Sequence, residues 1–204
     1  MSWEYILIYT LTLKEVYLKS MKTLLKTLFL FSFLMSFSQE NTQKKDTLKG
    51  GFLGASYSII DQTTFIKKNG KNENTYRNFA LGKITTFDIL SPFEIVLFYK
   101  DFNTVVILDN YLNEIQSISF SETIFLANKS IVNKLWLYNS DKQKLQLFDY
   151  KSQTVILSSQ TFIDFEPIKM VSDFNAVKLI GKKKTLIFNQ YLSLVDTIIH
   201  QKNN

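Results

Sequence analysis

From residue 52 onward the chain alternates short apolar segments with polar turn residues. The segments include EIVLFYK (94–100), TVVILD (104–109), KLWLYN (134–139), KLQLFD (144–149) and TLIFN (185–189). They are rich in β-branched and aromatic residues and follow one another at intervals of about ten residues, which is typical of β-strands joined by tight turns. The pattern therefore predicts an all-β domain over residues 52–204.

The segments repeat with a longer period when the chain is written in rows of forty, as 41–80, 81–120, 121–160 and 161–200. Column seventeen is always apolar, column twenty-one holds residues that favour turns, and column twenty-nine is always Asn or Asp. The three columns are Tyr57, Leu97, Leu137 and Val177; Asp61, Asp101, Asp141 and Gly181; and Asn69, Asp109, Asp149 and Asn189. We interpret the rows as four antiparallel repeats.

Two segments are apolar at consecutive positions rather than at alternate ones. Residues 96–99 read VLFY and residues 105–108 read VVIL, and a strand that is apolar on both faces must be covered on both faces. Stacked blades of a β-propeller provide such cover, and a period of forty lies in the range of propeller repeats. The pattern predicts a β-propeller, with a β-sandwich as the alternative.

Both ends of the repeat region weaken the prediction of a closed ring. NTQKKDTLKG (41–50) is polar, so we expect a linker over residues 39–51 and no opening strand in the first row. The last row ends at His200, and four blades is the lower limit for closure. We expect a small four-bladed or an incomplete propeller, whose open edges could pair with a second copy of the chain.

The rows over residues 52–200 resemble bladed β-propeller repeats. LFYKDFNTVVILDNYLNEIQ (97–116) also resembles exported bacterial proteins of unknown function that have such propellers. The resemblance implies a fold and a location but no activity. The chain lacks the Gly-His and Trp-Asp marks of WD repeats and the paired glycines of kelch repeats.

Residues 21–40, MKTLLKTLFLFSFLMSFSQE, have the order of a secretory signal peptide: a basic start, a short apolar core and a small-x-small exit. The exit is formed by Ser36 and Ser38, so we expect cleavage between Ser38 and Gln39. Residues 1–20 are then an over-long start, and the mature protein is located in the periplasm or at the cell surface. The alternative is a membrane anchor over residues 5–37, which is disfavoured because lysines and a glutamate interrupt that stretch.

Composition excludes several kinds of site. The chain has no Cys and a single His, His200, which argues against zinc or copper sites and against a Ser–His–Asp triad. The net charge of +6 comes from scattered Lys with one Arg, Arg77, whereas nucleic-acid readers carry clustered Arg. We expect no cofactor and no nucleic-acid partner, and Lys182–Lys184 to be a solvated hairpin turn.

Carboxylates are the remaining candidates for chemistry. Asp61, Asp101 and Asp141 should occupy equivalent loops on one rim and, with Glu94, could supply the two carboxylates of a carbohydrate hydrolase. The same spacing suits turns that Asp stabilises through local hydrogen bonds, which we expect here and for Asp109 and Asp149. Trp136 and Tyr138 should pack in the core.

Together these features favour a non-enzymatic, exported binding or scaffold module of the cell envelope. Its partner would be an envelope protein or a glycan. A carbohydrate-active hydrolase that uses two of the rim carboxylates is the alternative.

Overall fold

The computed structural model describes residues 17–26, the backbone of 46–48, and residues 54–200. The chain forms two units, residues 1–42 and 43–204. In the first unit, residues 17–26 form helix α1, in which every side chain is exposed. None of the helices in the described part of the chain has the length and apolarity needed to cross a membrane. The predicted cleavage residues Ser36, Ser38 and Gln39 lie outside the described residues.

The second unit consists of four antiparallel sheets of four strands each. Sheet 1 contains β1 (Asp46–Leu48), β2 (Ser56–Ile60), β3 (Thr64–Asn69) and β4 (Asn72–Arg77). Sheet 2 contains β5 (Thr86–Asp88), β6 (Ile95–Tyr99), β7 (Thr104–Leu108) and β8 (Glu114–Ser119). Sheet 3 contains β9 (Ile124–Lys129), β10 (Lys134–Asn139), β11 (Lys144–Asp149) and β12 (Thr154–Ser158). Sheet 4 contains β13 (Pro167–Ser172), β14 (Ala176–Gly181), β15 (Lys184–Asn189) and β16 (Leu194–Ile199).

Each row of forty residues folds into one sheet, and within each sheet the strands pair in chain order. The prediction of an all-β fold with four antiparallel repeats is confirmed. The first strands of consecutive sheets lie next to one another, as β5 does with β9 and β9 with β13. The fourth strands, β12 and β16, are exposed along their whole length. The first strands therefore lie on the inner side of the stack and the fourth strands on its outer side.

The expectation that the first row lacks an opening strand was wrong. Residues 46–48, inside the predicted linker, form β1 and pair with β2 in the register Asp46↔Ile59 to Leu48↔Tyr57. Strand pairing uses backbone hydrogen bonds, so a polar segment next to a well-formed strand can extend the sheet. Because residues 41–50 are mostly polar, the hydrophobic pattern of the sequence does not predict this strand.

Three core clusters hold the sheets together, one between each pair of consecutive sheets. Tyr57 and Leu97 belong to the cluster between sheets 1 and 2. Leu137 belongs to the cluster between sheets 2 and 3, and Val177 to the cluster between sheets 3 and 4. All four residues of column seventeen are at most 1% exposed. Within residues 54–200 no core cluster joins sheet 4 to sheet 1, so the propeller is incomplete.

The Asx column forms the turns that the sequence predicts. Asp109 Oδ1 accepts hydrogen bonds from the backbone N–H groups of Tyr111 and Asn113, each at 2.8 Å. Asn189 Oδ1 does the same for Tyr191 and Ser193, each at 3.0 Å. In both turns the third residue after the Asx, a Leu, adopts a positive φ and lies in a core cluster; these residues are Leu112 and Leu192. Repeats two and four therefore share one turn design.

Candidate functional site

The rim carboxylates lie where the sequence places them, in successive connections of the stack. Asp61 follows β2, Asp101 lies in the 3-10 turn between β6 and β7, and Asp141 lies between β10 and β11. Asp141 Oδ2 accepts a hydrogen bond from the backbone N–H of Thr123 at 2.7 Å, which lowers the pKa of its carboxyl. Gly181, the fourth member of this column, is a strand residue rather than a turn residue.

Glu94, the fourth carboxylate considered for hydrolysis, takes part in a buried ion pair. Its Oε2 lies 2.7 Å from Nζ of Lys129, and its Oε1 accepts a hydrogen bond of 2.7 Å from the hydroxyl of Tyr150. Burial opposes ionisation of Glu94, but the hydrogen bonds from Lys129 and Tyr150 outweigh it and lower the pKa. Glu94 is therefore ionised at neutral pH and unsuited to act as a general acid, which needs a raised pKa.

Lys129 is the centre of a polar cluster that joins three sheets. Its side chain is 1% exposed, and Nζ also donates to the backbone carbonyls of Ser130 at 3.0 Å and Lys134 at 3.2 Å. Its backbone N–H donates to Oδ2 of Asp88 at 2.9 Å, and its carbonyl accepts a hydrogen bond from Ser172 Oγ at 2.9 Å. Asp88, Lys129 and Ser172 belong to sheets 2, 3 and 4, so the cluster connects the three inner strands.

Asp88 differs from the other acidic groups because burial raises the pKa of its carboxyl. It accepts hydrogen bonds from three donors, the backbone N–H groups of Leu90 and Lys129 and the hydroxyl of Ser172. A carboxylate with several donors at short distance is held as part of the fold. Sequence reasoning missed both Asp88 and Lys129, because their partners are 35 or more residues away in the sequence or lie in the backbone.

A cleft of about 900 Å³ lies between sheets 3 and 4, at the rim that carries the β10–β11 and β14–β15 connections. Its volume is at the upper end of the ~300–1,000 Å³ range of ligand pockets. The lining residues are Phe125, Tyr138, Ser140, Gln143, Phe162, Asp164, Phe165, Glu166, Pro167, Ile168 and Lys182–Lys184. Asp61, Asp101, Asp141 and Glu94 line neither this cleft nor its smaller neighbour.

The wall of the cleft is a set of packed aromatic rings. Phe162 stacks on Tyr138 with centroids 6.1 Å apart and an interplanar angle of 14°, and it meets the edge of Phe165 at 5.7 Å. Two of the rings have a Lys ammonium over one face: Lys100 lies 3.5 Å from the centroid of Phe125, and Lys184 lies 5.7 Å from that of Phe165. These contacts hold the rings in place before any ligand binds.

The residues that close the cleft come from the connection between β12 and β13. The backbone N–H of Ser159 donates to Leu145 O and that of Phe162 donates to Gln143 O, each at 2.8 Å. This connection therefore lies against the adjacent hairpin of sheet 3, which positions Phe162 and Phe165 between the two sheets. No hydrophobic periodicity marks the segment, so the hydrophobic pattern does not predict this arrangement.

Gly181 is required for this arrangement. A Cβ at position 181 would lie 2.8 Å from Cε2 of Phe165 and 3.1 Å from the carbonyl oxygen of Glu166. Both distances are shorter than normal van der Waals contact. The glycine in column twenty-one of the fourth row therefore makes room for the aromatic wall, whereas the first three rows have an aspartate in a turn.

The lining of the cleft carries charges of both signs. Asp164 and Glu166 line it together with the lysines of the β14–β15 hairpin, Lys182, Lys183 and Lys184, and Glu166 lies next to this hairpin, because Pro167 pairs with Gly181. Lys182 and Lys183 are exposed, which confirms the predicted hairpin turn. His200 is exposed, as expected, and supports this hairpin. Its backbone N–H donates to Lys183 O at 2.8 Å, and its side-chain Nε2 lies 2.9 Å from Thr185 Oγ1.

Trp136 is 2% exposed and packs in the core as predicted. Tyr138 is 4% exposed; it packs in the core and also lines the cleft. A second, smaller cleft of about 550 Å³ shares Phe162, Phe165 and Lys184 with the first. In the described part of the chain, His, Asp and Glu form no group of three that could hold a metal ion.

Solved structures with this fold are β-propellers. The chain is similar to BamB from Moraxella catarrhalis, with 13% identity and a TM-score of 0.55 over 78% of this chain and 52% of that one. It is also similar to the Pan2 WD40 domain of Neurospora crassa, with 8% identity and a TM-score of 0.56 over 78% and 51% of the two chains. A third match is BBS1N in complex with ARL6DN, with 10% identity and a TM-score of 0.54 over 76% and 53%.

These similarities establish the fold: the chain is a β-propeller-like repeat protein. It spans about half the length of the solved structures that it matches. Neither a protein family nor a curated protein sequence matches the chain.

Proposed function

We propose that the protein is an exported, non-enzymatic binding module of the cell envelope, and that the cleft between sheets 3 and 4 binds an extended peptide segment of a partner protein. The cleft carries the proposal because it combines a preformed aromatic wall with charged side chains of both signs. Export rests on the signal-peptide pattern of residues 21–38. Propellers often act as interaction scaffolds, and one structural neighbour, BBS1N, was solved in complex with ARL6DN.

The chemistry of the cleft favours a peptide with an aromatic or aliphatic residue between groups of unlike charge. The apolar side chain would lie against Phe162 and Phe165, acidic side chains would face Lys182 and Lys183, and a basic one would face Asp164 or Glu166. Charged groups of both signs in the lining favour such a peptide over an uncharged one.

The carbohydrate hydrolase has less support. A glycosidase requires one carboxyl with a raised pKa that faces a second carboxylate across the substrate. The pKa values of Glu94 and Asp141 are lowered, and both carboxylates accept hydrogen bonds from the protein. Asp88 has a raised pKa, but it is surrounded by three donors and lines neither cleft.

A displayed library of random peptides, selected on the exported protein, tests the assignment of the cleft. We expect enrichment of peptides that contain an aromatic or aliphatic residue between an acidic and a basic one. The double variant Lys182→Glu with Lys183→Glu should bind the selected peptides at least about tenfold more weakly, because it reverses the charge of two lining side chains. A matched control is Lys71→Glu with Lys151→Glu, which makes the same charge change in two turns that line neither cleft.

Equal loss of binding in both double variants would mean that net charge, rather than the cleft, drives binding. Binding of glycans but not peptides in a parallel glycan array would replace the peptide with a sugar ligand. Turnover of a glycan substrate that Glu94→Gln abolishes would favour the hydrolase.

Export is tested separately by expressing the complete gene and sequencing the N-terminus of the protein from the envelope fraction. We expect the mature chain to begin at Gln39, and Ser36→Arg with Ser38→Arg to block cleavage, because the exit of a signal peptide requires small residues. A mature chain that retains residues 5–19 and resists carbonate extraction would instead support the membrane anchor.

A further inference from the structure

The two end sheets of the stack each have a face turned away from the other sheets, and these two faces differ in chemistry. In sheet 1, Tyr57, Ile59 and Phe65 pack toward sheet 2, so the alternate positions face the other way. Those positions are Ser56, Ser58, Ile60, Thr64, Ile66, Lys68, Glu73, Thr75 and Arg77. Most of them are polar, and the central aliphatic residue, Ile66, is already buried at 6% exposure.

The outer face of sheet 4 is defined in the same way. Val177, Leu179, Leu186 and Phe188 pack toward sheet 3, so their neighbours along each strand form the outer face. The aliphatic members are Val171, Ile180, Ile187 and Ile198. Val171 is 41% exposed and Ile198 is 48% exposed, and Ile180 and Ile187 are half-buried. Aliphatic residues that are exposed or half-buried together on one sheet face indicate a contact surface.

The strand registers arrange this face in two rows that cross the sheet. In the first row Val171 pairs with Lys178, Lys178 with Ile187, and Ile187 with Asp196. In the second row Lys169 pairs with Ile180, Ile180 with Thr185, and Thr185 with Ile198. Each row therefore crosses all four strands, and its last three residues lie on β14, β15 and β16.

We propose that this outer face of sheet 4 binds the same face of a second copy of the chain, about a two-fold axis parallel to β15. Such an axis places β14 of each copy over β16 of the other at the same height. Lys178 of one copy then faces Asp196 of the other, and Ile180 faces Ile198. On the axis, Ile187 meets its own counterpart. Sheets that pack face to face keep their strands nearly aligned, which this arrangement requires.

The pattern of charges argues for this occupant. Lys178 and Asp196 flank Ile187 on opposite sides, so the face is complementary to itself under the two-fold axis. Closed two-fold dimers are by far the commonest oligomers, and their interfaces must be self-complementary in this way. Ring closure with the outer face of sheet 1 of a second copy fits less well, because that face would present mainly Ser, Thr and charged side chains to the isoleucines of sheet 4.

The test is sedimentation velocity of the exported full-length protein over a range of concentrations. We expect a dimer that Lys178→Asp and Asp196→Lys each weaken at least about tenfold, because each change puts like charges in contact across the axis. Lys151→Asp, which makes the same charge change in the β11–β12 turn, should leave the dimer unchanged. Far-UV circular dichroism verifies that the variants are folded.

Mixing the two single variants is the decisive step. In a mixed dimer the Lys178→Asp chain pairs with the Asp196→Lys chain, and both contacts again join opposite charges. The mixture should dimerise as strongly as the unaltered chain, although neither variant does so alone. This rescue depends on the two-fold arrangement and on neither the peptide nor the cleft, since none of these residues lines the cleft.

Three results would overturn the proposal. The first is a protein that remains monomeric at every concentration. The second is a dimer that Thr75→Lys in sheet 1 weakens as much as Lys178→Asp does, which would indicate ring closure through unlike faces. The third is the absence of rescue on mixing, which would indicate another contact surface or a different partner for sheet 4.

Discussion

Sheets 2 and 4 have the same strand order but differ in how their middle strands are buried. In β6 and β7 of sheet 2 all ten residues are buried, whichever face they point to. In β14 of sheet 4 Val177 and Leu179 are fully buried, whereas Lys178 between them is exposed. Sheet 2 has a neighbour on each side, and sheet 4 has a neighbour on one side only.

The difference shows that the apolar pattern of a strand reports the position of its sheet in the stack. A sheet between two others buries both faces and therefore needs consecutive apolar residues, as in residues 95–99. A sheet at the end buries one face and alternates, as in the Val177, Lys178 and Leu179 run of β14.

The largest effect should come from a substitution at the centre of the stack. Phe98→Ala removes a fully buried side chain between sheets 2 and 3 and should lower the free energy of unfolding by about 4 kcal/mol. Ile187→Ala, on the third strand of sheet 4 and on its outer face, should cost about 1 kcal/mol. Urea unfolding followed by the fluorescence of Trp136 measures both, and equal costs would contradict the distinction between middle and end sheets.

A second prediction concerns the buried ion pair that accompanies the stacking of the middle sheets. Glu94→Gln leaves Lys129 buried without its counter-charge and should lower the free energy of unfolding by about 3 kcal/mol at pH 7. Adding Lys129→Met to Glu94→Gln should recover part of this loss, because the double variant no longer buries a charge. A double variant less stable than Glu94→Gln alone would argue against a buried ion pair.

The same pair predicts a dependence on pH. The folded-state pKa of Glu94 lies below its unfolded value, so its contribution is present above the unfolded pKa of about 4.3 and is lost as pH falls through the lower folded-state pKa. The stability difference between the unaltered chain and Glu94→Gln should therefore be constant from pH 6 to pH 7 and should shrink in acid. A difference that grows toward low pH would contradict the assignment.

Gly181→Ala should have an intermediate effect, because it acts at the contact between sheets 3 and 4. The added Cβ would overlap Phe165, which should cost about 2 kcal/mol and displace one wall of the cleft. Asp101→Ala, at the same column of sheet 2, is exposed and should change stability by less than about 0.5 kcal/mol. Calorimetric unfolding compares the two variants, and equal effects would mean that column twenty-one has no special role in the fourth row.

Smaller effects should come from the turns that repeats two and four share. Asp109→Ala and Asn189→Ala each remove two hydrogen bonds to backbone N–H groups, and each should cost about 1 kcal/mol. The cost should be somewhat larger for Asp109→Ala, because Asp109 also accepts a hydrogen bond from Asn113 Nδ2 at 2.8 Å. A cost confined to one of them would show that the neighbouring sheets, rather than the turn, determine its stability.

Much of the fold could be predicted from the sequence, because the repeat period is recorded in several independent columns. Tyr57, Leu97, Leu137 and Val177 are buried because the corresponding strand of each sheet faces a core cluster. The Asx column was correct because Asp and Asn form their turns through local hydrogen bonds. Features that depend on residues close together in the sequence could therefore be predicted.

The features that could not be predicted from the sequence depend on contacts between distant residues or on backbone hydrogen bonds. Strand β1 lies in a mostly polar segment and pairs through its backbone. Lys129 and Lys67 looked like solvated lysines, yet they are 1% and 7% exposed because Glu94 and Asn110 reach them from a neighbouring sheet. The cleft is formed by Phe162 and Phe165 in an irregular connection, where no periodic pattern points to a common surface.

The most direct test of the open stack is the rate at which single introduced thiols react, since the natural chain has no Cys. Thiols are introduced on the two faces of β7 by Val106→Cys and Ile107→Cys, and on the two faces of β15 by Leu186→Cys and Ile187→Cys. They are labelled in the folded protein at a concentration where it is monomeric. We predict fast labelling at position 187 and slow labelling at the other three. Labelling at position 107 as fast as at 187, or slow labelling at all four, would contradict a stack in which sheet 2 is covered on both faces and sheet 4 on one.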